Sequence, residues 1–168
     1  MRQKRGIFGI VLVGLLASTA SAEEICPQLS QLLKDPPAGF VAHRGEPVSP
    51  QSWASKPFLA NANCVVSVAR IQEAHEMRCS VNDGTNAALV AQYYQQTAGS
   101  IDQCLATRPE GKKYIRQEMP VDSEGLKGAE TRWVFDSDSL RFQIDLSNYR
   151  RTYDGSTYNS FSVEYLRY

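Results

Sequence analysis

Leu140-Arg141-Phe142-Gln143-Ile144-Asp145-Leu146-Ser147 is the stretch that decides the fold, because large apolar residues alternate with polar ones through eight positions. Successive side chains of a strand point to opposite faces, so this period of two predicts a strand with one face buried and one wetted. The segment before it repeats the pattern, with Thr131, Trp133 and Phe135 on one side and Glu130, Arg132 and Asp136 on the other. Asp136-Ser137-Asp138-Ser139 between them has the composition of a tight turn. Downstream, Phe161, Val163 and Tyr165 alternate with Ser160, Ser162 and Glu164, and Tyr114 to Met119 supplies a further strand after the Pro109-Glu110-Gly111 turn. Strands that follow one another without helices between them imply hairpins, and therefore an antiparallel sheet.

Ahead of this sheet the period changes. Ala87, Val90, Tyr94, Ala98, Ile101, Cys104 and Leu105 recur at intervals of three and four, which predicts a long helix after the Asp83-Gly84 turn, with Thr85 as its N-cap and Cys104 on its buried stripe. A shorter helix is expected to begin near Pro27, a residue suited to a first turn, with Cys26, Leu29, Leu32 and Leu33 turned inward.

The four cysteines, Cys26, Cys64, Cys79 and Cys104, allow three pairings. Folding the strand of Cys64, Val66 and Val68 against His75 to Asn82 with Cys64 opposite Cys79 also sets Val66 opposite Met77, Val68 opposite His75 and Arg70 opposite Glu73. That register keeps apolar residues on one face, and directly opposed Cα atoms lie within disulfide range. Cys64 is therefore paired with Cys79, which leaves Cys26 for Cys104. The second bridge fastens the start of the short helix to the end of the long one. Chain-entropy arguments give about 4.5 kcal/mol for its loop of about 79 residues and about 3 kcal/mol for the hairpin bridge.

At the N-terminus Arg2, Lys4 and Arg5 precede an apolar run from Ile7 to Ala17, and Ala20-Ser21-Ala22 offers small residues for cleavage. Residues 1–22 thus read as a secretory signal, with a single domain over residues 23–168 placed in the periplasm or outside the cell. The run is about 11 residues, short of the roughly 20 that a membrane-spanning helix needs, so no permanent anchor is expected. Cys26 follows Glu23-Glu24-Ile25, unlike a lipid-attachment motif. Of the 168 residues, 42% are hydrophobic and 21% charged, which suits a globular domain and excludes long disorder or a polytopic membrane protein. Removing the signal leaves 15 basic and 18 acidic residues, a net charge of −3 that does not favour nucleic acid. An even cysteine count in an exported chain points to an oxidising compartment.

An early strand around Trp53 to Leu59 gives each half of the chain the order helix, then strands, although no residue-level repeat joins the halves. The expected class is α+β: a mostly antiparallel sheet of about six to eight strands, one long and one short helix packed on one face, and two disulfides.

Few residues carry a chemical signal. His43 lies in Phe40-Val41-Ala42-His43-Arg44-Gly45-Glu46-Pro47, read as a proline-bounded connector, where a loop hydrogen bond or a catalytic base are the two roles open to it. His75 shares the inward face of Met77, as a satisfied sheet residue does. Two histidines and four bridged cysteines leave few ligands for a metal, and Asp136-Ser137-Asp138 lacks the later glycine and glutamate of a calcium loop. No cofactor is expected, since the chain holds no G-x-S-x-G, H-E-x-x-H or S-x-x-K pattern and no phosphate-cradling glycine loop.

Asn148-Tyr149-Arg150-Arg151-Thr152-Tyr153-Asp154-Gly155-Ser156-Thr157-Tyr158 instead combines tyrosine, arginine, glycine and serine in the manner of a recognition surface. The competing reading is a hairpin tip whose tyrosines fold back on the sheet. Tyr149, Arg150, Arg151 and Tyr153 are the candidate binding residues, with His43 and Arg44 as the second candidate position. The leading functional expectation is a non-enzymatic binding protein, of the inhibitor or immunity kind, that engages an envelope or secreted protein. The alternative is a small envelope hydrolase using His43 with a carboxylate.

Overall fold

The structure, a computed structural model, describes residues 22–34, 39–56, 62–69, 74–82, 86–108, 113–136 and 140–167. Residues 1–21 of the segment expected to be a secretory signal lie outside these residues, as do Arg70, Glu73, Thr85 and the expected turns at 109–111 and 137–139. Helix α1 (Ala22–Leu32) is followed by strands β1 (Arg44–Ser49), β2 (Ser52–Ser55), β3 (Asn63–Ala69) and β4 (Ala74–Asn82). Helix α2 (Ala87–Ala106) is followed by β5 (Ile115–Ser123), β6 (Leu126–Asp136), β7 (Leu140–Arg151) and β8 (Thr157–Arg167). All eight strands form one antiparallel sheet in the order β1-β2-β3-β4-β8-β7-β6-β5. Each half is thus a helix and a four-stranded meander, and the last strands of the two halves meet at the centre.

Register explains how alternation becomes a core. Trp53, Val66, Met77, Val163, Ile144 and Trp133 form one continuous cross-strand row, and the five from Val66 onward are buried. The helices cover this face: Ile25, Leu29 and Leu32 of α1 and Tyr94, Ala98, Ile101 and Leu105 of α2 join the same hydrophobic cluster. Cys64 faces Cys79 in the predicted register, with Val66 opposite Met77 and Val68 opposite His75. Both predicted bridges are present, Cys64–Cys79 within the sheet and Cys26–Cys104 between the helices, with Cα separations of 4.0 and 5.3 Å.

Polar contacts orient α2 on the sheet. The Tyr94 and Thr131 hydroxyls share a buried hydrogen bond of 2.6 Å, and Trp133 Nε1 donates to Asp102 Oδ1 at 2.7 Å. Arg116 Nε reaches the other Asp102 oxygen at 3.2 Å.

Three local expectations are corrected. Helix α1 starts at Ala22 and carries Pro27 inside it, rather than beginning there. Ala and Glu are good helix formers, and only one early carbonyl loses its partner to the proline. The N-cap of α2 is Asn86, whose side chain accepts the Leu89 N–H at 3.2 Å. The connector after His43 is a strand, β1; of the early strand expected over Trp53 to Leu59, β2 covers Trp53 to Ser55, and residues 57–59 lie outside the described residues. Proline is compatible with an edge strand, and the β1–β2 register shifts on both sides of the Pro47–Trp53 pair.

Candidate functional site

The segment from Asn148 to Tyr158 is the end of the β7–β8 hairpin, and only residues 152–156 lie outside the strands. Arg151 N–H donates to Ser156 O at 2.8 Å and Gly155 N–H to Arg151 O at 3.0 Å, closing a tight turn. Gly155 sits at φ 73°, a backbone region that side chains with a Cβ seldom adopt. Asp154 Oδ1 accepts the Ser156 N–H at 2.8 Å, and this bond, assisted by the Ser156 hydroxyl and the Arg151 charge, holds its carboxyl below the ordinary value. Thr152 N–H donates to Gly125 O at 3.0 Å, tying this turn to the neighbouring β5–β6 turn.

On this frame the side chains form a stack. Tyr149 and Tyr158 are directly opposed across the hairpin, and their rings stack with centroids 5.3 Å apart at 17°. The Arg151 guanidinium carbon lies 4.6 Å from the centre of the Tyr158 ring and 5.8 Å from that of Tyr153. The resulting series is Tyr149, Tyr158, Arg151, Tyr153, and its outer member is 74% exposed. Arg150 takes no part, because alternation turns it to the opposite face, where its guanidinium lies across Gly155. The tyrosines do fold onto the hairpin, and in doing so they build an ordered surface. Tyr158 is the member that sequence reasoning did not single out; its signal was its position directly across the turn from Tyr149.

The second candidate position is built differently. His43 ends a single 3₁₀ turn, Val41–His43, entered through Phe40 in the left-handed region at φ 57° and fully buried. Arg44 donates through Nε and Nη2 to Gly39 O at 3.2 and 2.9 Å, and its guanidinium lies 4.0 Å from the centre of the Trp53 ring. Arg44 is thereby committed to holding the chain between α1 and β1. Among the described residues no carboxylate forms a hydrogen bond or ion pair with His43. The structure does not bring His43 and Arg44 together with the hairpin-tip residues in one site.

The sheet face opposite the helices carries an ionic network. Arg132 binds Asp145 Oδ1 at 2.6 Å and Glu130 Oε1 at 2.7 Å, and Gln143 Nε2 donates to Asp145 Oδ2 at 2.6 Å. Arg78 binds Glu76 at 2.7 Å. Glu164 lies between Glu76 and Gln143 in the register, and burial, followed by the charges of Glu76 and Asp145, raises its carboxyl above the ordinary value despite Arg141 and Arg132. Contacts along the strands, and Arg132–Asp145 across them, close most of these groups on one another, an arrangement that stabilises a wetted face.

Among the described residues, no group of three or more His, Cys, Asp or Glu is arranged to hold a metal ion, and no helix is long and apolar enough to cross a membrane. Compared with known protein families, with characterised proteins and with solved structures, the chain matches none.

Proposed function

We infer that this is an exported, non-enzymatic binding protein, of the inhibitor or immunity kind, which engages another envelope or secreted protein through the tip of the β7–β8 hairpin. The observation that carries the reading is the ordered stack of Tyr149, Tyr158, Arg151 and Tyr153, ending in an exposed ring. Tyr and Arg dominate the energetics of protein interfaces, and a surface already ordered before contact loses less conformational entropy when the partner arrives. Two disulfides are consistent with an exported protein.

The test is affinity capture from the envelope fraction of the native host. Residues 23–168 serve as bait beside a variant with Tyr153→Ala and Arg151→Ser, both checked for folding by circular dichroism. A protein retained by the parent chain and lost from the folded variant supports the reading. Identical captured sets for both baits overturn it.

A further inference from the structure

Arg151 differs from the four arginines whose side chains bind an acceptor. Arg78, Arg116 and Arg132 each bind carboxylates, and Arg44 binds a backbone carbonyl. The Arg151 guanidinium instead lies near rings, Tyr158 at 4.6 Å and Tyr153 at 5.8 Å, and its side chain forms no hydrogen bond or ion pair among the described residues. A guanidinium is planar, and its N–H donors radiate from its edge rather than from its faces. With two aromatic rings near the guanidinium, its edge donors are what it has to offer a hydrogen-bond acceptor.

Asp154, whose carboxyl feels the Arg151 charge, accepts the Ser156 N–H within the turn. Two further cations, Arg150, next in sequence, and Lys127, its cross-strand partner on β6, are exposed on the opposite face of the hairpin end, where Lys127 also pairs with Asp122 of β5 in the register. A carboxylate meeting the guanidinium edge forms charge-assisted hydrogen bonds, which are stronger than neutral ones.

We propose that Arg151, beside the rings of Tyr158 and Tyr153, is a carboxylate-binding site that receives a Glu or Asp side chain from an acidic segment of the partner protein. The proposal rests on the hairpin-tip reading given above and names the chemistry of that contact. Arg151 supplies a bidentate donor edge, Tyr153 and Tyr158 fix its orientation, and Arg150 and Lys127 contribute only long-range attraction.

The probe is a hexaglutamate peptide, titrated into the isotopically labelled chain while the arginine Nε–H resonances are followed. The Arg151 resonance is expected to shift saturably at low salt and to lose the effect at high salt. Arg151→Lys keeps the charge but removes the planar fork, and is expected to weaken binding by about tenfold. Arg150→Lys, equally charge-conserving, is expected to leave affinity within about twofold. Equal effects of the two lysine variants, or no shift of Arg151 as the peptide saturates other resonances, overturn the proposal. Loss of the captured partner on Tyr153→Ala, together with indifference of Arg151 to hexaglutamate, removes the carboxylate assignment and leaves the hairpin-tip reading standing. Saturable binding at Arg151 with partner capture unchanged by Tyr153→Ala supports the carboxylate site and removes its use in that capture.

Discussion

Glu164 and Glu76 face each other across the central strand pair, and Asp145 lies close on the next strand. Burial and these charges raise the Glu164 carboxyl above its ordinary value, so folding favours its protonated form. The sign follows: the stabilisation is complete below the ordinary value of 4.5 and is lost as pH rises through the higher value of the folded state. Partial exposure limits the size of the effect. Glu164→Gln is accordingly expected to raise the melting temperature at neutral pH by about 1–3 °C and to leave it unchanged at acid pH, as scanning calorimetry at the two pH values will read. A second residue-scale test concerns the buried hydroxyl pair. Thr131→Val leaves the Tyr94 hydroxyl without its partner and is expected to cost about 1–3 kcal/mol in urea denaturation, whereas adding Tyr94→Phe recovers part of the loss.

At the scale of the element, the β6–β7–β8 meander depends on one close approach. Gly128 lies directly opposite Tyr149, and a Cβ built on it meets the Asn148 carbonyl oxygen and the Tyr149 backbone well inside contact distance. Gly128→Ala therefore has to push β6 away from β7 at the end where the tyrosine stack is built. The expected cost is about 1–3 kcal/mol, with the Tyr149 and Tyr158 ring resonances displaced in the folded variant. An unchanged denaturation midpoint with unshifted rings would show that the strands part there without effort. The same meander explains why the hairpin tip is rigid: its turn is bonded within itself and, through Thr152 to Gly125, to the turn beside it.

Across the whole molecule the two disulfides act on different spans. Cys64–Cys79 joins neighbours 15 positions apart in a hairpin already held by its ladder, whereas Cys26–Cys104 spans 78 positions and joins the two helices over the core. The longer loop loses more unfolded-state freedom. Replacing Cys26 and Cys104 by Ser is expected to lower the melting temperature further than replacing Cys64 and Cys79, with chain-entropy costs of about 4.5 against about 3 kcal/mol. Equal losses would indicate that the unfolded chain keeps the helices near each other without the bridge. The pairing at the centre of the sheet adds a second reason, because α1 belongs to one half and Cys104 to the other.

The amino-acid sequence by itself determined the strands of the C-terminal half, the phase of α2 and both cysteine pairings. In each case the information is a short-period alternation or a register that has to keep apolar residues on one face. Leu146, Ile144 and Phe142 are buried because every second residue must be, whatever lies beyond the strand. The early strand β1 was not legible, since Pro47 and the polar residues around it lack alternation and pair only because β2 offers an edge. Nor was the start of α1, where Pro27 reads locally as a beginning although good helix formers precede it. The candidate site divides in the same way. Its composition, tyrosine and arginine beside glycine and serine, was visible along the chain, and it named Tyr149, Arg150, Arg151 and Tyr153 alike. Only the tertiary structure separated Arg151 from Arg150 and added Tyr158, because which guanidinium lies beside the rings depends on strand face, hairpin register and turn closure, and no one of these is a property of neighbouring residues alone.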